Sequence, residues 1–266
     1  MSNNMTTKRK ILTYRSGVLT EKEDIIVTEF PLTIMLNGIE FATMVCTPTH
    51  LKEMVIGFLG SEGVIRNYQK DIDSISIDES KGFAYVETTA KITPSIESQT
   101  KRFIGSCCGK SRQSFYFQND VKTAKTATTK QTITYEQCIQ LMKAMQSSSD
   151  VFEATGGVHN AALCTDEQMV VTRTDIGRHN ALDKLYGHCL IEKISVRDKI
   201  LVFSGRISSE ILLKASKIGV GILLSKSAPT ELALQAAEEL NITTAGFIRG
   251  DKMNVYTHPE RFTLNN

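Results

Sequence analysis

The sequence predicts an α/β protein, a parallel sheet covered by helices and preceded by a β-rich part. Three observations carry this. From Thr134 onward, short apolar runs alternate with segments of helical periodicity. Before Arg102, strand-like runs surround a single helical segment. Between the two parts, Gly105 to Lys130 is rich in Ser, Thr, Lys and Gly, and KTAKTATTKQT shows no apolar period that could be buried.

In chain order, Ile25 to Val27 leads into PLTIMLNGIEFATMVC. Here two apolar runs are split by Asn37-Gly38, a pair that supplies the positive φ values of a tight hairpin. THLKEMVIGFLGSEGVI then places Leu51, Met54, Val55, Phe58 and Leu59 at helical spacing and ends in Gly60 to Gly63. Strand-like runs follow at Ile72 to Ile77 and Phe83 to Glu87. Residues 1–104 are therefore expected as an N-terminal β-rich α+β domain, 105–130 as a flexible cysteine-bearing loop, and 131–266 as an α/β domain. In the last of these, TYEQCIQLMKAMQ reads as a helix, GGVHNAALC and QMVVTRTD as strands, and HNALDKLYGHCLI as a helix. KILVF, VGILLS and TTAGFI then read as strands separated by the helices ISSEILLKASKIG and PTELALQAAEELN. Two successive strand-helix-strand units imply parallel strands.

Composition narrows the function. A chain of 266 residues with a formal charge of +2 does not coat nucleic acid or membranes by bulk electrostatics, so any anion site must be local. The polar start, MSNNMTTKRK, and the lack of a long apolar run lead to the expectation of a soluble, cytoplasmic protein. Parallel strands place their C-terminal ends on one edge, where such folds bind ligands. That edge selects Ser204-Gly205-Arg206, Lys226-Ser227-Ala228-Pro229-Thr230 and Arg249-Gly250-Asp251-Lys252. The first two are expected to open helices, whose free N–H groups suit phosphate or carboxylate. DIGRHNALDK adds Arg178, His179 and Asn180 at another helix start. Each loop alone is what ordinary caps and turns require. Three basic loops on one edge point to an anionic, phosphate-bearing ligand. No P-loop and no Gly-x-Gly-x-x-Gly follows a strand, which argues against an ATPase or a dehydrogenase.

The six cysteines stand at 46, 107, 108, 138, 164 and 189. Their spacing resembles no disulfide framework, and no CxxC or paired histidines suggest structural zinc, so thiols and no metal are expected. Cys46, Cys138, Cys164 and Cys189 lie in apolar segments and are expected to be buried. Cys107 and Cys108 lie side by side in GSCCGKS, with Lys101, Arg102, Lys110 and Arg112 nearby to favour thiolate. Adjacent cysteines make a strained disulfide, and the spacing of a resolving cysteine is absent, so carriage of a group on one sulfur fits better than a redox relay.

GSCCGKS, TGGVHNAAL, DIGRHNALDK, SGRISSEILLKA, SAPTELA and GFIRGDKMNVYTH occur in this order. Together they resemble the FdhD/NarQ family of sulfur carrier proteins required for formate dehydrogenase activity, from about Val27 to His258. The resemblance implies that a loop cysteine accepts sulfur from a cysteine desulfurase as a persulfide and passes it to the molybdenum cofactor, bis(molybdopterin guanine dinucleotide), of formate dehydrogenase. Carried over by residue, the persulfide falls on Cys107. Many members have Cys-x-x-Cys where this pair is contiguous, which keeps Cys108 as the alternative. Cofactor binding falls on Phe247, Ile248, Arg249, Gly250, Asp251 and Lys252, with Ser204, Arg206 and Ser227 beside them. The resemblance further implies a cytidine-deaminase-like three-layer sandwich for the larger domain, and a homodimer. Deaminase chemistry itself is not expected, because His159 is followed by Asn160-Ala161 and the zinc-binding Pro-Cys-x-x-Cys is missing. A cofactor-holding chaperone with incidental cysteines is the other reading.

Overall fold

The computed structural model describes residues 5–90, 103–104 and 124–264. Cys107 and Cys108 lie outside the described residues, as does most of the expected loop.

The chain opens with a two-stranded antiparallel ribbon, β1 (Thr6–Arg15) and β2 (Val18–Val27), turned at Ser16-Gly17. Sequence reading did not anticipate β1. Charged and apolar residues share both faces of the ribbon, so no continuous apolar side marks it as a strand.

A five-stranded sheet follows, in the order β5-β6-β3-β4-β7. Its members are β3 (Phe30–Leu36), β4 (Ile39–Cys46), β5 (Ile72–Asp78), β6 (Phe83–Thr88) and β7 (Phe103–Ile104). Asn37 and Gly38 take φ values of 50° and 78° in the β3–β4 turn, as their type demands. Leu32, Ile34, Leu36, Ala42, Met44, Ala84 and Val86 form one buried face against α1 (Leu51–Ser61). The single turn α2 (Tyr68–Asp71) precedes β5.

The second sheet has six strands in the order β10-β9-β11-β12-β13-β14. Its strands are β9 (His159–Cys164), β10 (Met169–Asp175), β11 (Ile200–Phe203), β12 (Ile222–Ser225), β13 (Thr243–Arg249) and β14 (Lys252–Thr257). β11, β12 and β13 run parallel, as the two strand-helix-strand units predict, while β9, β10 and β14 are antiparallel additions. The two-residue strands β8 (Ile133–Thr134) and β15 (Phe262–Thr263) pair outside this sheet. Strand alternation divides the core. Leu163, Leu201, Phe203 and Leu223 face α5 (Arg178–Glu192), α6 (Ser209–Ile218) and α7 (Glu231–Glu239). Cys164, Ile200, Val202, Ile222 and Leu224 face α3 (Tyr135–Ser147). A short helix, α4 (Asp150–Thr155), leads into β9.

Helix α5 is buried on two sides, because α1 packs on its outer flank. The helices meet at glycines: a Cβ on Gly57 would lie 1.7 Å from the Asp183 carbonyl oxygen, and one on Gly187 would lie 1.8 Å from that of Glu53. Residues 124–130, expected within the mobile connection, are instead docked. The Lys125 N–H donates to Ser216 Oγ at 2.8 Å, the Ala127 N–H donates to the Leu240 carbonyl at 2.8 Å, and Asn241 Nδ2 donates to the Ala127 carbonyl at 2.8 Å. Backbone pairing, rather than an apolar period, holds this stretch.

Candidate functional site

The segments following β11 and β12 run side by side beyond the sheet. The Ile207 N–H donates to the Ala228 carbonyl and the Thr230 N–H to the Ile207 carbonyl, both at 3.0 Å. The Lys226 N–H donates to the Phe203 carbonyl at 3.0 Å. Ser225 Oγ ties the turns together, donating to the Gly205 carbonyl at 2.7 Å and accepting from the Ser227 N–H at 3.0 Å. The end of β13 joins them, for the Phe247 N–H donates to the Ser227 carbonyl at 3.1 Å and Arg249 Nε donates to the Lys226 carbonyl at 3.2 Å. Gly246 permits this approach, since a Cβ there would lie 2.8 Å from the Ser227 oxygen. The three predicted segments therefore meet on one edge. Arg206, Phe247, Arg249, Gly250, Asp251 and Lys252 are exposed on it, and Ser227 is half-buried.

Three details differ from expectation. Arg249 to Lys252 is a hairpin turn into β14, with Gly250 at φ 62°, rather than a loop ahead of another element type. Ile248 is only 1% exposed and its side chain packs in the α3-side core, so it can offer a ligand no more than its backbone. Ser204-Gly205-Arg206 does not cap α6: that place is taken by Ser208, whose hydroxyl accepts from the Ile211 N–H. Ser204 Oγ itself accepts from the Asn160 N–H at 2.9 Å and so links β11 to β9. Phe247 is the unusual member. It holds φ 52° with 41% of its surface exposed, a conformation L-residues adopt at a cost and a position where the apolar ring is left to water.

DIGRHNALDK brackets the other end of this edge. Asp175, fully buried, accepts from the Thr47 N–H and Oγ1 at 2.9 Å, the Gly177 N–H at 2.8 Å and Asn180 Nδ2 at 2.9 Å, and pairs with Lys184 Nζ at 2.7 Å. Asn180 is therefore structural, and it also donates to the Val45 carbonyl. His179 Nε2 lies 2.9 Å from the Glu210 carboxylate; burial outweighs that partner and lowers its pKa. His159 sits beside Gly205, where a Cβ would come within 3.4 Å of its Nδ1. Burial, and then the Arg178 charge, push its pKa down. Both imidazoles are thus held neutral near an edge rich in fixed cations.

Sequence reading missed the polar network behind the site. Lys214 pairs with Asp183 at 2.5 Å, Ser61 Oγ donates to Asp183 at 2.7 Å, and Lys217 Nζ donates to the Ser61 carbonyl at 2.7 Å. The available signal was charge at buried helical phases, Asp183-Lys184 in α5 and Lys214 with Lys217 in α6. A cavity of 240 Å³, lined in part by Lys125, Thr129, Arg197 and Gly219, opens at the opposite ends of the strands and shares no residue with the site.

Cys46, Cys138, Cys164 and Cys189 are buried, as expected, and burial pushes each thiol up to about 12. None of the four supplies a thiolate near neutral pH. Among the described residues, no three His, Cys, Asp or Glu side chains come together as a metal site.

Fold and edge together define a mixed α/β protein with a cation-lined ligand edge whose described cysteines are all inert. The chain belongs to the FdhD/NarQ family, which it matches over residues 27–263. It is 64% identical over 261 residues to the sulfur carrier protein FdhD of Halalkalibacterium halodurans, covering 98% of this chain and 97% of that one. It is 62% identical over 261 residues to the sulfur carrier protein FdhD of Bacillus subtilis, covering 98% of this chain and 99% of that one. The crystal structure of a putative formate dehydrogenase accessory protein from Desulfotalea psychrophila has the same fold, with a TM-score of 0.79 at 24% identity over 97% of this chain and all of that one.

Proposed function

We propose that this chain is a cytoplasmic sulfur carrier that accepts persulfide sulfur from a cysteine desulfurase and delivers it to the molybdenum cofactor for formate dehydrogenase. The observation that carries the reading is the division among the cysteines: four are buried with thiols pushed up to about 12, while Cys107 and Cys108 stand in a sequence of glycine, serine and basic residues. The names borne by relatives that match nearly the full chain support the same role. In the loading step the Cys107 thiolate attacks the terminal sulfur of the desulfurase persulfide. The old S–S bond breaks, the desulfurase leaves as thiolate, and no external oxidant or reductant is required.

The acceptor, bis(molybdopterin guanine dinucleotide), carries phosphates and flat rings. Arg206, Arg249 and Lys252 suit the former, and the exposed Phe247 ring offers a stacking surface for the latter. Kinship of the six-stranded, helix-covered sheet to the cytidine deaminase fold belongs to the same reading.

Intact and peptide mass spectrometry after incubation with a cysteine desulfurase and cysteine, on wild type and each Cys→Ala variant, tests the reading. One additional sulfur, removed by reductant and absent in Cys107→Ala alone, is the expected result. Loss with Cys108→Ala instead moves the site by one residue, and no added sulfur in any sample leaves a cofactor-holding chaperone as the better account. The edge is tested separately. Arg249→Ala is expected to weaken guanine nucleotide binding by roughly tenfold and to flatten its salt dependence, as loss of a charge-assisted phosphate contact should. Equal affinity by titration calorimetry would place the nucleotide elsewhere.

A further inference from the structure

The β1–β2 ribbon stands outside both cores, and the family match begins only at its last residue, Val27. All ten of its pairs are in register from Thr6↔Val27 to Arg15↔Val18, without a bulge. It meets the rest of the chain at its base, where the Thr28 N–H donates to the Met5 carbonyl at 2.8 Å and Val27 touches Gly157. Its far end bares Leu12, Tyr14 and Leu19 at 71%, 70% and 65% exposure. A lone two-stranded ribbon is marginal in water, and this one carries uncovered apolar side chains as well.

Alternation puts Leu12, Tyr14 and Leu19 on the same face as Lys8, Lys10, Glu21, Glu23 and Ile25. The charges divide by strand: β1 has Lys8, Arg9, Lys10 and Arg15 with no acid, and β2 has Glu21, Glu23 and Asp24 with Lys22. Edge-to-edge pairing of two β1 strands would oppose cation to cation. Stacking two ribbons face to face about a two-fold axis along their length does the reverse, because it lays β1 of one copy over β2 of the other. Residues of one cross-strand pair then face each other between copies. Lys10 meets Glu23 twice, and Tyr14 meets Leu19 twice, through the register Lys10↔Glu23 and Tyr14↔Leu19. The internal pair Lys8–Glu23, at 3.6 Å with side chains 71% and 62% exposed, is too loose to hold Glu23 back.

We propose that the β1–β2 ribbon is a self-association arm, whose Leu12/Tyr14/Leu19 face stacks on the same face of a second copy in a two-fold dimer. The surface complements itself in charge and in apolar area, which selects another copy of this chain as the occupant.

Analytical ultracentrifugation of the full chain between about 1 μM and about 100 μM tests this. Wild type should reach twice the chain mass of 29.5 kDa. Lys10→Glu and Glu23→Lys should each weaken the dimer at least tenfold, and the double variant Lys10→Glu/Glu23→Lys should restore it, with far-UV spectra unchanged throughout. A wild type that stays at the mass of one chain, a dimer indifferent to the single reversals, or a double variant that does not recover would each overturn the assignment.

Discussion

Lys184 is fully buried, and its ammonium is held by Asp175 at 2.7 Å, Thr47 Oγ1 at 2.6 Å and the Thr47 carbonyl at 3.1 Å. Removing one partner of such a pair strands the other without solvent. Lys184→Met is therefore expected to cost about 3–5 kcal/mol in urea unfolding, and Lys184→Met/Asp175→Asn to recover part of it. A single variant within about 1 kcal/mol of wild type would mean that water reaches the pair. Histidine chemistry sets the pH dependence. His159 and His179 both hold protons less readily in the fold than their ordinary value of 6.5, chiefly through burial. Above that value neither state is protonated and stability is full; as pH falls through it, the unfolded chain gains protons that the fold refuses, and stability drops. Glu53 adds a second acid step. Burial alone would raise its pKa, but hydrogen bonds and charge from Arg173, with His188 and His50, bring it below 4.5, so its contribution is lost only under more acid conditions. Urea midpoints should fall between about pH 7.5 and about pH 5.5, and a His159→Gln/His179→Gln variant should flatten that part of the profile. A profile of unchanged slope in the variant would remove both histidines from the account.

At the scale of elements, the crossing of α1 and α5 depends on Gly57 and Gly187, whose missing side chains let backbone touch backbone. Gly57→Ala cannot be relieved by rotating a flexible neighbour, because the obstacle is the Asp183 carbonyl 1.7 Å away. The helices must separate, and a loss of about 1–3 kcal/mol or more is expected by differential scanning calorimetry. Gly156→Ala is the control: nothing lies within 4 Å, and only the strain of φ 63° is added. Equal losses in the two variants would show that backbone strain, not close approach, governs both. This contact also marks the limit of sequence reading. Both helices were legible from their apolar spacing, and the strand order β11-β12-β13 from its alternation with helices, but an interior helical glycine does not reveal which helix it meets. β14 escaped notice because Lys252, Asn254 and Tyr256 alternate with only weakly apolar neighbours. The three loops of the ligand edge were legible because parallel topology fixes where strand ends fall. The buried pairing of Asp175 was not, since its partners Thr47 and Lys184 are distant in sequence and come together only through the α1–α5 crossing.

For the whole molecule, the division into an N-terminal part and a larger α/β part follows the two sheets, but the interactions do not stop at that division. Thr47 and Ser61, from the first part, satisfy Asp175, Lys184, Asp183 and Lys217 in the second. Arg173 of β10 forms a forked pair with Glu53 of α1, and Tyr186 of α5 packs against Gly60. Taking the first part away would bare an apolar flank of α5 and leave Lys184 and Asp183, both almost fully buried, without those partners. Each such group costs about 1–3 kcal/mol when unsatisfied, and the total rivals the net stability of a typical domain. The full chain should therefore unfold in urea as one unit, with tyrosine near-UV dichroism, which reports Tyr186 at the crossing, tracking far-UV dichroism through a single midpoint. A fragment limited to residues 124–264 should keep helical signal while losing near-UV dichroism and binding a hydrophobic dye, as expected of a core without fixed packing. Two resolved transitions in the full chain, or cooperative unfolding of that fragment from a native-like state, would mean that the crossing joins independent units and that the site edge is stable without the first sheet.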